Sequence, residues 1–444
     1  MRPIRRTPDG RVVVRVWFAD YPFQTYDGRP FLDPVRDRGE EFGRAHPDYL
    51  IEVTGHPFPA MAEEVARAAE PPDVAGYYAS ASRLALDTLD KDGLPMFTSV
   101  ERAIAGREEI LGEPVVLDDL EPALREAYTG SGGELLSQPF SVTTFLVYAN
   151  MDLLRAAGVT EIPRTWAEIE AACRKIGPGS ITWPIHGWLM QQAVSSQGGV
   201  FADNGNGRDG RASRVELDSP EMLAWVEWSR RLHKDGLYHY TGTQGDWMGN
   251  FQAFASGRTA FVVDSSKAAW DLVRTGRDQG FEVGVGPMPR NENAPYAGNP
   301  VSGDSLWLAR DIDPVTRDGA LAFLQYLANP VNAAAWHRAH GFVPVTGTAD
   351  FLLADEGWFD EHPYQRAGTE QLRAGDGSAA ARGPVIGPSA GVNAAMTQAL
   401  EDVLVRDAVP AERFRQATGE AQRLLDDYNA DCDVPRTPNS LSIG

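Results

Sequence analysis

Short β-branched runs alternate with amphipathic stretches through the first eighty or so positions of the chain. Val12 to Trp17, interrupted only by Arg15, reads as a buried strand. Phe31, Val35 and Phe42 follow at helical spacing between Pro30 and His46, and His46-Pro47-Asp48 closes that helix as a turn. Tyr49 to Val53 predicts a second strand, Met61 to Ala69 a helix, and Val74 to Tyr78 a third strand opened by Pro71-Pro72-Asp73. Strand, helix, strand, helix, strand is the order of a parallel α/β sheet. Helices are expected again over Leu84–Leu89 and Leu117–Tyr128.

Leu135 to Tyr148 breaks the alternation, being long, extended and rich in Ser and Thr. Asn150–Gly158 and Trp166–Ile176 return to helix, the latter with Thr165 and Glu168 at capping-box spacing. Ser219-Pro220-Glu221 opens a long helix that runs to Asp235-Gly236, with Pro at the first helical position. Helix is expected at Asp246–Ser256 and Ser266–Thr275, and strand at Thr259–Val263, Phe281–Val285 and Ser305–Ala309. From Pro314 onward helices dominate, at Asp318–Leu327, Val331–His340, Val392–Arg406 and Pro410–Asn429. No fixed-period repeat is visible, and Ala374 to Gly387 is a loose Gly- and Ala-rich stretch.

Composition narrows the function classes. The 444 residues suggest two or three lobes, and 43% hydrophobic with 23% charged residues is a globular balance. Forty-one Lys plus Arg against 62 Asp plus Glu give a net charge of −21. With no basic cluster, nucleic acid and anionic membrane surfaces are poor partners. Cys173 and Cys432 lie far apart, without a CxxC partner or a His at ligand spacing, so a zinc site and a disulfide framework are both disfavoured. No metal and no cofactor is expected. No stretch approaches the ~18 apolar residues of a transmembrane helix. Arg2, Arg5 and Arg6 resemble the charged start of an export signal, but no apolar stretch follows them. The expectation is therefore an extracytoplasmic protein if a signal has been trimmed, and a cytoplasmic one otherwise.

Three motifs invite chemistry and are weighed against plainer readings. Gly205-Asn206-Gly207-Arg208-Asp209-Gly210 spells GxGxxG, but no helix begins at its third glycine to meet a pyrophosphate, so a surface turn is preferred. Gly303-Asp304-Ser305-Leu306 spells the nucleophile motif of the GDSL hydrolases, without that family's late Asp-x-x-His. A nucleophilic serine needs a base in reach, so ligand or hinge contact is preferred at Ser305. His233, His239, His337 and His340 form no ligand set and are read as solvated or capping residues near helix ends.

Taken in order, Ser219-Pro220-Glu221, Phe254-Ala255-Ser256-Gly257-Arg258-Thr259-Ala260 and Gly284-Val285-Gly286-Pro287-Met288-Pro289 resemble the extracellular solute-binding proteins of sugar ABC transporters, family 1. Leu136-Ser137-Gln138-Pro139-Phe140, Ser305-Leu306-Trp307, Phe323-Leu324-Gln325-Tyr326-Leu327, Ala335-Trp336-His337 and Gly341-Phe342-Val343-Pro344-Val345-Thr346 look like the glycerol-3-phosphate-binding branch. The resemblance implies an α/β, two-lobe, type II periplasmic-binding-protein-like fold with the ligand held in the cleft between lobes. Residues 1–140 plus 266–310 would form the N-terminal lobe, 148–262 plus 314–430 the C-terminal lobe, and 431–444 a tail. Ser141–Tyr148 would be one crossing, Val262–Ser266 a second, and a third would lie near Ser305–Arg310. The implied protein is a monomer that does no chemistry: it captures a carbohydrate or polyol and delivers it to a membrane permease.

A sugar needs flat aromatic surface and several fixed donors and acceptors. Trp188, in a glycine-flanked loop, resembles the family's stacking tryptophan, with core packing as the alternative. Tyr78 ends the third strand, where open α/β sheets bind ligands. Polar contacts are expected from Asp20, from Thr143 and Thr144 at the first crossing, from Asp264 and Ser266 at the second, and from Gly303 and Asp304. The Ser and Thr could instead satisfy backbone groups, and Asp264 could cap a helix.

The departures from the branch matter equally. Its late Gly-x-Arg-x-Gly is Gly383-Pro384-Val385-Ile386-Gly387 here, so Val385 replaces the arginine. Its third-strand acid is Tyr78, its second-loop tyrosine falls at Phe58 or Pro59, its later tyrosine is Phe342, and Asp304 replaces a small neutral residue. Loss of a cation and gain of a carboxylate disfavour a phosphorylated ligand. The competing readings are a cytoplasmic enzyme or ligand-sequestering protein that reuses the fold, with Asp264, Asp304 and Ser305 as conceivable catalytic groups, and, more weakly, a module of a signalling complex.

Overall fold

The computed structural model describes residues 1–20, 25–26, 29–30, 32–57 and 61–433. The apolar runs build two large sheets, beside two short two-stranded ribbons. In the first, Val12–Asp20 lies between Tyr49–Pro57 and Val74–Tyr78 and runs parallel to both, as the alternation of strands and helices requires. Ser302–Ala309 then pairs antiparallel with Val74–Tyr78, Gln138–Thr143 and, at its end, Phe97–Thr98. The second sheet has the order Ile181–Thr182, Phe261–Ser265, Phe145–Asn150, Val283–Pro287.

Each sheet has its own core, so the chain forms two lobes. Val14, Val16, Phe18, Leu306 and Leu308 pack with Phe42, Leu321, Phe323 and Leu324 in the first. Val147, Ala149, Phe261 and Val263 pack with Trp183, Trp225 and Trp228 in the second. The helix Pro220–Lys234 buries Met222, Trp225, Val226 and Trp228 on one stripe, and Ser219 starts it by accepting from the Met222 amide. The Thr165–Glu168 capping box forms in full at the head of Trp166–Ile176.

The first crossing is abrupt: Thr144 alone separates Gln138–Thr143 of the first sheet from Phe145–Asn150 of the second. The other expected boundaries differ. Residues 266–287 stay with the second sheet, because Ala269 and Leu272 pack on Leu146, Tyr148 and Val262, and Val283–Pro287 pairs with Phe145–Asn150. The crossing expected at Val262–Ser266 therefore falls after Pro287, before Ser302–Ala309 joins the first sheet. Conversely, the helices Pro314–Ala328 and Pro330–His340 pack with the first lobe. Helical periodicity shows that a helix has an apolar stripe, not which sheet that stripe covers.

Two further readings change. The helix Gly187–Ser196 is absent from the predicted elements; with Leu189, Met190, Gln192, Ala193, Val194, Ser195 and Ser196 all buried, it presents no one-sided stripe. His337 and His340 are buried, not solvated: the His337 Nδ1–H donates to the Phe342 carbonyl at 2.7 Å, just beyond the end of its helix.

Candidate ligand cleft between the lobes

Tyr78 closes its strand at the same end of the first sheet as Asp20 closes the neighbouring parallel strand. Its hydroxyl lies in hydrogen-bond reach of the Ser302 side chain and the Gly303 amide, which lays the ring along Ser302–Ala309. Against its face stands Trp188 of the second lobe, with ring centroids 4.5 Å apart and planes inclined by 13°.

Trp188 is held from its own side by local chemistry. His186 caps the helix Gly187–Ser196, its Nδ1 accepting from the Trp188 amide at 3.1 Å. Burial lowers the His186 pKa to about 4, so the ring stays neutral and keeps that acceptor. Gly187 donates to Thr397 Oγ1 at 3.0 Å, and a Cβ on it would meet Asn393 at 2.5 to 2.8 Å. Only glycine lets this helix start so close to Ser389–Val405.

Behind the stack lies a cavity of about 20 Å³, lined by Tyr78, Trp188, Gln191, Ser302 and Arg208 among others. That is room for about one water. Arg208 was not among the expected site residues. It donates from Nε to Gly383 O at 2.8 Å, from Nη1 to Ala127 O of the first lobe at 2.9 Å, and from Nη2 to Arg382 O. Burial, with Arg382 nearby, lowers its pKa to about 9. The GxGxxG letters acquire a purpose here. Asn204, Gly205 and Asn206 are left-handed, and a Cβ on Gly207 would stand 2.1 Å from Val385 O, so the turn is what aims Arg208 inward.

Asp304 is paired across the ladder with Tyr78 on one side and Ser141 on the other. It is 7% exposed, its Oδ1 has no hydrogen-bond partner, and burial raises its pKa to about 7. Tyr128, also missed by the sequence reading, is close enough to sense Asp304, Tyr78 and Arg208, and its hydroxyl is buried without a partner. Its only sequence signal is its place before the glycine-rich turn Gly130-Ser131-Gly132-Gly133.

Gly303 has φ +99°, and a Cβ there would stand 1.7 Å from Ser141 O, so close strand packing accounts for the glycine. Thr143 is buried opposite Ser302. Thr144 and Ser266 engage each other: the Ser266 amide donates to Thr144 O at 2.7 Å and the Thr144 amide to Ser266 Oγ at 3.2 Å. Thr144 Oγ1 also accepts from Gln371 Nε2 at 2.8 Å, so this hydroxyl is engaged in the crossing.

Through Ser266 the crossing connects to Asp264, whose Oδ1 accepts from the Ser265 amide at 2.6 Å and whose pKa burial raises to about 7 against the pull of Lys267. Lys267 lies 6.0 Å from the ring centre of Phe342, and Phe342 stacks on Trp336 at 5.9 Å within the first core. Phe58 lies outside the described residues. Ser305 is fully buried, its hydroxyl accepting from Ser137 Oγ at 2.8 Å.

A family model described as bacterial extracellular solute-binding protein matches residues 37–362. The chain is 29% identical over 319 residues to the sn-glycerol-3-phosphate-binding periplasmic protein UgpB of Salmonella typhimurium, covering 68% of this chain and 70% of that protein. Among solved structures, the cyclic alpha-maltosyl-1,6-maltose binding protein from Arthrobacter globiformis superposes with a TM-score of 0.73 at 19% identity, over 94% of this chain and 100% of that one. An ABC transporter solute binding protein from Agrobacterium radiobacter K84 in complex with ribitol gives 0.72 at 17% identity, over 93% and 98%. At these identities the structures establish the fold, which is the two-lobe type II arrangement that the resemblance implied.

Proposed function

The chain belongs to the bacterial extracellular solute-binding proteins, and from that premise we propose that it captures a carbohydrate or polyol between its lobes and hands it to the permease of an ABC importer. The observation that carries the reading is the Tyr78–Trp188 pair, two flat aromatic faces delivered to one place by different lobes. Parted by lobe opening, they offer the two apolar walls a sugar ring stacks on. The relatives whose names specify oligosaccharide and ribitol binding support the same ligand class. Around the pair, Asp304, Tyr128, Gln191 and Ser302 supply the polar contacts, and Asp20 stands at the same sheet end. The protein works as a monomer outside the cytoplasmic membrane and performs no reaction.

The ligand is unphosphorylated in this reading, because Val385 occupies the position of the branch's arginine and Asp304 brings a carboxyl. Arg208 does not restore a phosphate site, since its three nitrogens already donate to carbonyl oxygens. A thermal-shift screen over sugars and polyols tests the proposal: a ligand at 100 times its Kd adds about 2.7 kcal/mol. No shift with any of them would refute it, and micromolar binding of glycerol 3-phosphate would refute the unphosphorylated ligand.

A further inference from the structure

The sheet face that carries Tyr78 also carries a group of buried polar atoms without partners. Residues directly opposite in a ladder project to the same face, so Asp304, Tyr78 and Ser141 leave the first sheet together. Asp304 Oδ1, Ser141 Oγ and the Tyr128 hydroxyl are all buried and make no hydrogen bond. The groups that face the carboxyl are Tyr78 from the neighbouring strand, Ser141 from the other, and Tyr128 from the end of Pro122–Ala127, with Arg208 beyond Tyr128. Among the described residues no cation acts on Asp304; desolvation alone moves its titration.

A buried carboxyl with an open oxygen destabilises a fold, and such groups persist where a ligand completes them. A ligand hydroxyl would complete the hydrogen bond only. An ammonium would supply the hydrogen bond and the missing countercharge, and the ring of Tyr78, paired with Asp304 across the ladder, attracts cations as well. We propose that the solute carries a basic amine as well as hydroxyls, and that Asp304 selects it by pairing with the ammonium while Tyr128 and Ser141 take neighbouring hydroxyls. This rests on the reading of the chain as a binding protein for polyhydroxylated solutes. Below neutral pH the step is balanced by a proton: the carboxyl gives its proton to solvent as the ammonium arrives.

The test is calorimetric titration of the full chain with matched probes. Glucosamine is compared with glucose and N-acetylglucosamine, and 1-amino-1-deoxyglucitol with glucitol, alongside maltose and ribitol. The amine-bearing member should bind at least tenfold more tightly than its neutral counterparts. At pH 6, titrations in buffers of different ionisation enthalpy should show proton release for the amine probes alone. Asp304→Asn and Asp304→Ala, each checked for a native melting transition, should abolish both the preference and the proton release. Tyr128→Phe should weaken both members of a pair and leave the preference intact. Equal binding of amine and neutral probes, or a preference that survives both Asp304 variants, would overturn this inference and leave the sugar-binding reading standing. Failure of every probe to bind would overturn that reading and this one with it.

Discussion

Trp188 and Tyr78 lie face to face at 4.5 Å between ring centres although one belongs to the helical lobe behind the second sheet and the other ends a strand of the first. That spacing is direct ring-on-ring contact, with no room for a sugar between the faces. If the solute binds between these rings, as proposed, they part to admit it, and lobe motion is then coupled to binding.

Trp188→Ala should lower the affinity for the cognate solute by about 10- to 100-fold, or roughly 1.4 to 2.7 kcal/mol. The melting temperature should fall modestly as well, because the indole, besides meeting Tyr78, packs against the second-lobe core. Tyr78→Phe, which keeps the ring, should lose far less affinity. Calorimetry on the two variants checks the pair, and an unchanged affinity in Trp188→Ala would rule out its stacking role.

Asp87 ties the lobes at a second place. This first-lobe carboxylate accepts from Arg83 at 2.5 and 2.7 Å, from Arg211 of the second lobe at 3.2 Å and from the Tyr428 hydroxyl at 2.9 Å. Asp87→Ala should shift the ligand-free protein toward an open form, with a larger radius of gyration in solution scattering and affinity reduced about tenfold. Hydrogen bonding from Arg83 and attraction to its cationic neighbours outweigh burial and hold its pKa below the ordinary 3.8. The tie is therefore intact above that value and lost only as pH falls below it.

Gly303→Ala should destabilise the fold by on the order of 3 kcal/mol, from the strained φ and from collision with Ser141 O. Denaturant unfolding measures this directly. A stability equal to wild type would show that the strand pairing can relax around a methyl group.

Asp264 and Asp304 both titrate near 7 instead of at 3.8. For an acid whose folded pKa is raised, the stabilisation of the protonated fold is complete below the unfolded value and lost as pH climbs from about 4 to 7. Without ligand, stability should thus fall across that window by on the order of 3 kcal/mol for each carboxyl, and Asp304→Asn should flatten part of the slope. Urea midpoints at pH 5 and pH 8 decide it.

The legibility of the site tracks the range of the interactions that made it. Tyr78 is readable because a strand end is a local feature, and Trp188 because a flanking glycine and the family likeness single it out. Tyr128 and Arg208 are not, because each takes its meaning from partners brought together by the fold: Asp304 for one, Ala127 and Gly383 for the other. Thr144 and Ser266 show the converse. Their residue types suit a sugar, but tertiary pairing engages them with each other.

By itself the sequence determined the α/β class, most of the elements and the family likeness, since periodicity, caps and short motifs are written within a few residues of one another. It also determined that a carboxyl stands at position 304 where the branch has a small neutral residue. The tertiary structure alone decided which lobe each helix joins, because an apolar stripe fits either sheet until the chain is packed. It alone placed Asp304 beside Tyr128 and Ser141 with an oxygen unsatisfied, for burial and unmet hydrogen bonds are properties of surroundings, and no residue carries its surroundings in its own name.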